Sequence, residues 1–141
     1  MLLNRSVYVR FDADNIGDKL ELLLIRGNIS AASALQAKVQ SAMNQLHAAL
    51  RGQKEVEILF VGCDDILFKI NVQVYNLQNI EKFRKFFEER SGCTLSGGVG
   101  INLEEALKNL RIAKLEGKNK IIEPVSFFRE LEQRCRHSLQ Q

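Results

Sequence analysis

The chain has 141 residues, enough for one domain with a real core, and its 45% apolar and 26% charged content matches an ordinary globular protein. Net charge is +3 with Lys and Arg scattered, which argues against a long duplex-binding surface, and no apolar run approaches the roughly 18 residues a spanning helix needs. Cys63, Cys93 and Cys135 are odd in number and far apart, which argues against a disulfide framework and a thiolate zinc site.

The opening Met-Leu-Leu-Asn-Arg-Ser lacks the long apolar region of a signal peptide, so a cytoplasmic protein is expected, with no stable DNA or membrane binding. Ser6 to Phe11 alternates, Val7, Val9 and Phe11 on one face and Tyr8 and Arg10 on the other, which predicts a first strand. It ends in Asp12-Ala13-Asp14-Asn15-Ile16-Gly17-Asp18, and Leu20, Leu23 and Leu24 then begin a short helix. Helix capping accounts for one of those carboxylates well and for three poorly. The stretch is not an EF-hand, because Ile16 and Leu23 stand where calcium needs oxygens. A haloacid-dehalogenase reading is also discounted, since the second acidic pair precedes the candidate Ser and Lys.

After Gly27-Asn28 a helix of about twenty residues is predicted from a Ser30 cap, with Leu35, Val39, Ala42, Leu46 and Leu50 as its apolar stripe and His47 as a half-buried neighbour. Val56, Ile58 and Phe60, then Ile66, Phe68 and Ile70, predict two strands of a hairpin joined by Gly62-Cys63-Asp64-Asp65. Two adjacent carboxylates at that tip repel each other unless a cation neutralises them. Cys63 has no histidine near it in sequence and reads as packing rather than as a nucleophile.

A third helix follows from about Asn76 to Ser91, with Leu77, Ile80, Phe83 and Phe87 on one face and Gly92 as its stop. Thr94 to Ile101 predicts a strand whose glycines mark a bulge or a close approach to the backbone. Asn102 caps a fourth helix with Leu103, Leu107 and Leu110 inward, and lysines cluster at its end. Ile121-Ile122 forms a brief strand, and Pro124 opens a terminal helix with Phe128, Leu131 and Cys135 inward. The fold class is therefore α+β: a single ferredoxin-like palm domain over residues 1–141, an antiparallel sheet with helices mainly on one face and a C-terminal helix. That arrangement lets Asp12 face the turn carrying Asp64 and Asp65.

Nucleotidyl transfer demands charge neutralisation more than covalent chemistry. Two divalent ions about 4 Å apart, held by a few carboxylates, meet that demand, and Asp12, Asp64 and Asp65 supply the set. Asn15-Ile16-Gly17 opens a helix whose free amides can receive a triphosphate. Gly97 and Gly98 leave space for a base or sugar, and Lys114 and Lys118 are placed to hold the outer phosphates.

Phe11-Asp12-Ala13-Asp14-Asn15-Ile16-Gly17, Gly62-Cys63-Asp64-Asp65, Ser96-Gly97-Gly98-Val99 and Ala113-Lys114-Leu115-Glu116-Gly117-Lys118-Asn119 resemble the motifs of GGDEF/CRISPR-type palm polymerases. The chain is most similar to the minimal CRISPR polymerase (mCpol) family, over about Ser6 to Ile121. The resemblance implies cyclic oligonucleotide synthesis from NTPs in bacterial anti-phage defence, with ATP as substrate and a cyclic di-adenylate that acts on a separate effector protein. It implies Mg²⁺ or Mn²⁺, two per active site, with Asp12, Asp64 and Asp65 catalytic and binding metal and the Ala13 carbonyl as an extra ligand. Asp14, Asn15, Ile16, Gly17, Gly62, Cys63, Gly97, Gly98, Lys114 and Lys118 are the nucleotide-side residues of those motifs. One departure is Cys63, where the family has a second Gly, and it bears on base fit rather than on metal. One site per short chain makes a homodimer the expected assembly. The competing class is an inactive palm that binds nucleotides as a sensor or interaction module, which would need the glycines and lysines but not all three carboxylates.

Overall fold

In the computed structural model, which describes residues 5–124, β1 (Ser6–Ala13) alternates along its whole length, with Val7, Val9, Phe11 and Ala13 buried and Tyr8, Arg10 and Asp12 half-buried on the other face. It is the central strand. β3 (Asp65–Asn71) and β4 (Leu95–Gly100) flank it, both antiparallel. β2 (Val56–Val61) forms one edge and β5 (Ile121–Ile122) the other, in the order β2-β3-β1-β4-β5. β5 runs parallel to β4, so the sheet is mixed rather than wholly antiparallel.

The helices are α1 (Ile16–Ile25), α2 (Ile29–Arg51), α3 (Leu77–Ser91) and α4 (Leu103–Leu115). Val39, Ala42, Met43, Leu46 and Leu50 of α2, with Ile80 and Phe87 of α3, share a core with Val9, Phe11, Phe68, Leu95 and Val99. That face holds the ferredoxin-like pair of helices. The N-cap of α2 is Asn28, whose side chain accepts from the Ala31 amide at 3.1 Å, two residues before the expected Ser30.

α4 lies on the opposite face, a departure from helices gathered mainly on one side. Gly98 and Gly100 pair with Arg10 and Tyr8, so they look away from the α2/α3 core. There the α4 backbone comes so near that a methyl at Gly98 would overlap the Ala106 carbonyl and the Leu110 nitrogen. Only small side chains fit between, and the buried positions are Ala106, Asn109 and Ala113. The expected inward leucines are displaced to the flanks: Leu103 and Leu107 are exposed, and Leu110 is half-buried.

β2 departs from its predicted alternation at one point. Ile58 pairs with Phe68 but Phe60 pairs with Leu67, so Leu59 is an extra residue in a bulge. The slip turns Phe60 out to 53% exposure and puts Val61 in the half-buried position. The terminal helix expected after Pro124, with Phe128, Leu131 and Cys135 inward, lies outside the described residues. Among the described residues, no helix is long and apolar enough to cross a membrane.

Candidate active site

The sheet brings the three carboxylates to one end. Asp12 is the penultimate residue of β1 and pairs with Asp65, the first residue of β3. Asp64 stays in the turn, pinned to the central strand by a 2.8 Å bond from the Ala13 amide to its carbonyl. Carboxylate oxygens of Asp12, Asp64 and Asp65 lie within 4.8 Å of one another. Such a set of hard oxygens fits a divalent cation with an affinity for carboxylate, phosphate and water. Gly62 belongs to this geometry, because a methyl there would overlap Asp65 Oδ1. A side chain there would have to displace that carboxylate from its place beside Asp12.

The hairpin carboxylates do not lack basic partners, as the residues between Glu57 and Lys69 would imply. Arg10, two residues before Asp12 on the same face of β1, donates from Nη2 to Asp65 Oδ2 at 2.5 Å. Its guanidinium carbon lies 5.8 Å from the centre of the Phe60 ring that the bulge turned outward. Lys114 reaches from the last turn of α4 to Asp12 Oδ2 at 3.0 Å and to the Asp12 and Ala13 carbonyls at 3.1 Å each. The Ala13 carbonyl, expected as a metal ligand, thus accepts from Lys114.

A cavity of about 400 Å³ opens beside the carboxylates, lined among others by Asp12, Asp64, Gly17, Arg111, Lys114 and Lys118. It is acidic at the strand ends and basic at the end of α4. Asn15 and Ile16 also line it. Asn15 caps α1 in the left-handed conformation, φ 62°, with no side-chain bond to the first turn, so the helix opens without a side-chain cap. The side chain instead receives the Lys118 ammonium across the cavity. A smaller cavity of about 170 Å³ adjoins it at Ile16, Gly17 and Asp64, and there Cys63 stands with Gln36 and Gln40.

Two groups of expected nucleotide contacts lie elsewhere. Gly97 and Gly98 are buried and leave no room for a base or sugar: Gly97 lies against the Phe11 ring and Ile121, and Gly98 lies beneath α4, whose close approach it admits. Asp14 is 1% exposed and does not line the main cavity. It does not cap α1 either. Arg10, Arg111, Thr94 and Ser96 were missed from the sequence. Face parity with Asp12 marks Arg10, and one-turn spacing from Lys114 marks Arg111. Thr94 carries no local signal, and Ser96 enters only as the first residue of the Ser96-Gly97-Gly98-Val99 motif.

The carboxylates respond differently to this setting. Burial pushes the Asp64 carboxyl above its ordinary pKa, and the neighbouring charges of Asp12 and Asp65 add to the rise. Burial acts the same way on Asp14, but hydrogen bonds from Lys114, Thr94 and Ser96, with the Lys114 charge, hold its pKa below the ordinary value. A carboxyl raised in the folded state binds its proton more tightly there than when unfolded. Its stabilising protonation is therefore complete below the unfolded pKa and is lost as pH rises through the folded one. At neutral pH, without metal, Asp64→Asn should melt a few degrees above the parent chain, and the gap should close as pH falls below the ordinary carboxylate value. Melting curves across pH check this, and a melting point lowered at pH 7 would contradict it.

The family pattern of the minimal CRISPR polymerase domain, mCpol, matches residues 8–123. The chain belongs to this family. Solved structures share the fold of this mCpol chain. In the Csm1–Csm4 cassette in complex with pppApA, one chain superposes with a TM-score of 0.63 at 18% identity, over 83% of this chain and 20% of that one. The EAL/GGDEF domain protein from M. capsulatus gives a TM-score of 0.54 at 16% identity, over 85% and 84% of the two chains. The diguanylate cyclase SiaD from Pseudomonas aeruginosa, in complex with its activator SiaC, gives 0.51 at 16%, over 84% and 50%. The mCpol chain thus spans 20% of the length of the cassette chain that it matches. Among curated proteins none matches the sequence. The fold is the one these chains share, and the family is that of the minimal CRISPR polymerase domain.

Proposed function

We propose that this mCpol-family chain is a nucleotidyltransferase that joins two ATP molecules into a cyclic di-adenylate. The observation that carries the proposal is one cavity with two chemically opposite ends: Asp12 and Asp64 beside Asp65 at the strand ends, and Arg111, Lys114 and Lys118 facing them. Mg²⁺ or Mn²⁺, two per site, would be held by Asp12, Asp64 and Asp65 and would supply charge neutralisation around the attacking and leaving oxygens, while the Ala13 carbonyl already accepts from Lys114.

The chain's own groups bind and orient. The first-turn amides of α1, at Ile16 and Gly17, present donors and the positive end of a helix to a triphosphate. Lys114 and Lys118 balance the charge of its outer phosphates, and Arg111 adds a third cation. The base enters the smaller cavity, where Cys63 narrows the space a glycine would leave and Gln36 and Gln40 offer amide donors and acceptors. A ribose hydroxyl then attacks the α-phosphorus of a second ATP, the bond to the β-phosphate breaks and pyrophosphate leaves. The same step with the roles of the two nucleotides exchanged closes the ring. Two protomers facing each other hold the two nucleotides, so the active species is a homodimer. The protein works in the cytoplasm, and its product acts on a separate effector protein in anti-phage defence.

Pyrophosphate release, measured with each NTP in turn alongside light scattering, tests this reading. ATP should be the preferred substrate, release should require a divalent ion, and specific activity should fall on dilution below the dimer range. Full specific activity in a strictly monomeric sample would contradict the facing-protomer arrangement.

A further inference from the structure

The carboxylate of Asp14 is saturated from four directions. Its Oδ1 accepts from Ser96 Oγ at 2.8 Å and from Lys114 Nζ at 2.7 Å; its Oδ2 accepts from Thr94 Oγ1 at 2.7 Å and from the Asn119 amide at 3.0 Å. At 1% exposure it has no oxygen left for a ligand. What it holds are the two cationic arms of the cavity. Lys114 is bound directly. Lys118 is set through the segment Gly117-Lys118-Asn119, whose three residues all have positive φ, 109°, 65° and 53°. Two consecutive non-glycine residues in that region persist only where the surroundings hold them. Here the Asn119 amide is anchored on Asp14 and on Ser96 Oγ, at 3.0 Å each.

We infer that Asp14 is a positioning residue for triphosphate recognition, fixing the Lys114 ammonium and the Lys118 turn before a nucleotide arrives. This rests on the reading of the cavity as a nucleotide site. A lysine is among the side chains that lose most rotamer freedom on ordering, and its ammonium is a compact point charge on a flexible stem. A buried carboxylate that already holds that ammonium removes much of the ordering from the binding step. An amide in the same place keeps the shape but not the charge. It also turns an NH₂ group toward a donor, Lys114 or the Asn119 amide. Lys114 would then rest on Asp12 and on the main-chain carbonyls alone, away from the phosphates.

The test is calorimetric titration of the full chain with α,β-methylene-ATP, which cannot release pyrophosphate, and with AMP. The ratio of the two affinities isolates the outer phosphates from the base and sugar. In Asp14→Asn the ratio should fall about tenfold, as for loss of a charge-assisted contact. Lys114→Met should lower it to a similar degree, and the double variant Asp14→Asn/Lys114→Met should fall by clearly less than the product of the two single losses, because Asp14 acts in part through that lysine and only its hold on the Lys118 turn remains as a separate contribution. Thr94→Val, which removes one donor and leaves the carboxylate, should shift the ratio the same way by about twofold, so the inference can be tested even if Asp14→Asn does not fold. A merely structural Asp14 would weaken both ligands alike. An unchanged ratio in folded Asp14→Asn or Thr94→Val, or losses that multiply in the double variant, would overturn the inference. Product formation is not read, so a parent chain that binds the triphosphate tightly and turns nothing over would refute the proposed function and leave this result standing.

Discussion

A chain carrying Asp64→Ala and Asp65→Ala should lose at least about a thousandfold in product formation, several kcal/mol of barrier, while keeping its fold. The size of the effect follows from where the two residues stand. Asp65 is fixed in the ladder opposite Asp12, and Asp64 is fixed by the main-chain bond from Ala13, so their oxygens converge with those of Asp12 within 4.8 Å. Removing two of the three leaves a single carboxylate already shared with Lys114. Folding should survive, because neither side chain belongs to the core cluster. Arg10 loses its partner, but its side chain is 21% exposed and retains the Phe60 ring. Product assays beside circular dichroism check both halves. A folded double variant that keeps more than about a tenth of parent turnover would show that the carboxylates do not carry the chemistry.

Gly98→Ala is expected to cost about 3 kcal/mol or more and to lower the melting temperature by roughly 10 °C. The added methyl would overlap the Ala106 carbonyl and the Leu110 nitrogen and stand 2.8 Å from Leu110 Cα, all backbone atoms of a helix that cannot rotate aside. α4 would have to lift from β4, carrying with it Ala106, Asn109 and Ala113 and the 2.7 Å bond from Asn109 Nδ2 to the Val99 carbonyl. Lys114 leaves the site with it, so activity should fall together with stability. Gly17→Ala is the control: no atom lies within 4 Å of its added methyl, and alanine suits a helix. It should melt at or above the parent temperature. Thermal unfolding decides. A Gly98→Ala chain within about 1 kcal/mol of the parent would mean that the close approach of α4 is not built on that glycine.

The main strands and three of the four carboxylate positions were legible from the sequence because period-two alternation is strong where one face is buried. Val7, Val9 and Phe11 mark the inner face of β1 and thereby put Asp12 with Arg10 on the other. The hairpin order then placed Asp64 and Asp65 against Asp12. The rest depends on contacts between distant segments. Alternation in β2 predicts an inward Phe60, and one extra residue at Leu59 reverses it. The leucines of α4 look like a core stripe by spacing, yet the glycines of β4 draw the helix so close that only Ala106, Asn109 and Ala113 fit. Gly97 and Gly98 read as room for a ligand, whereas Phe11 and Ile121 fill the space at Gly97 and α4 fills it at Gly98. Asp14 is the sharpest case. In sequence it is one of several acidic residues in a single turn, and only the convergence of Thr94, Ser96, Lys114 and Asn119 makes it a buried anchor.

Mass spectrometry of the products formed from ATP and Mg²⁺ or Mn²⁺ by the purified chain tests the central claim most directly. A cyclic di-adenylate should form, and it should be missing when the Asp64→Ala/Asp65→Ala chain replaces the parent. Intact ATP under every condition, with the parent folded and dimeric, would contradict it.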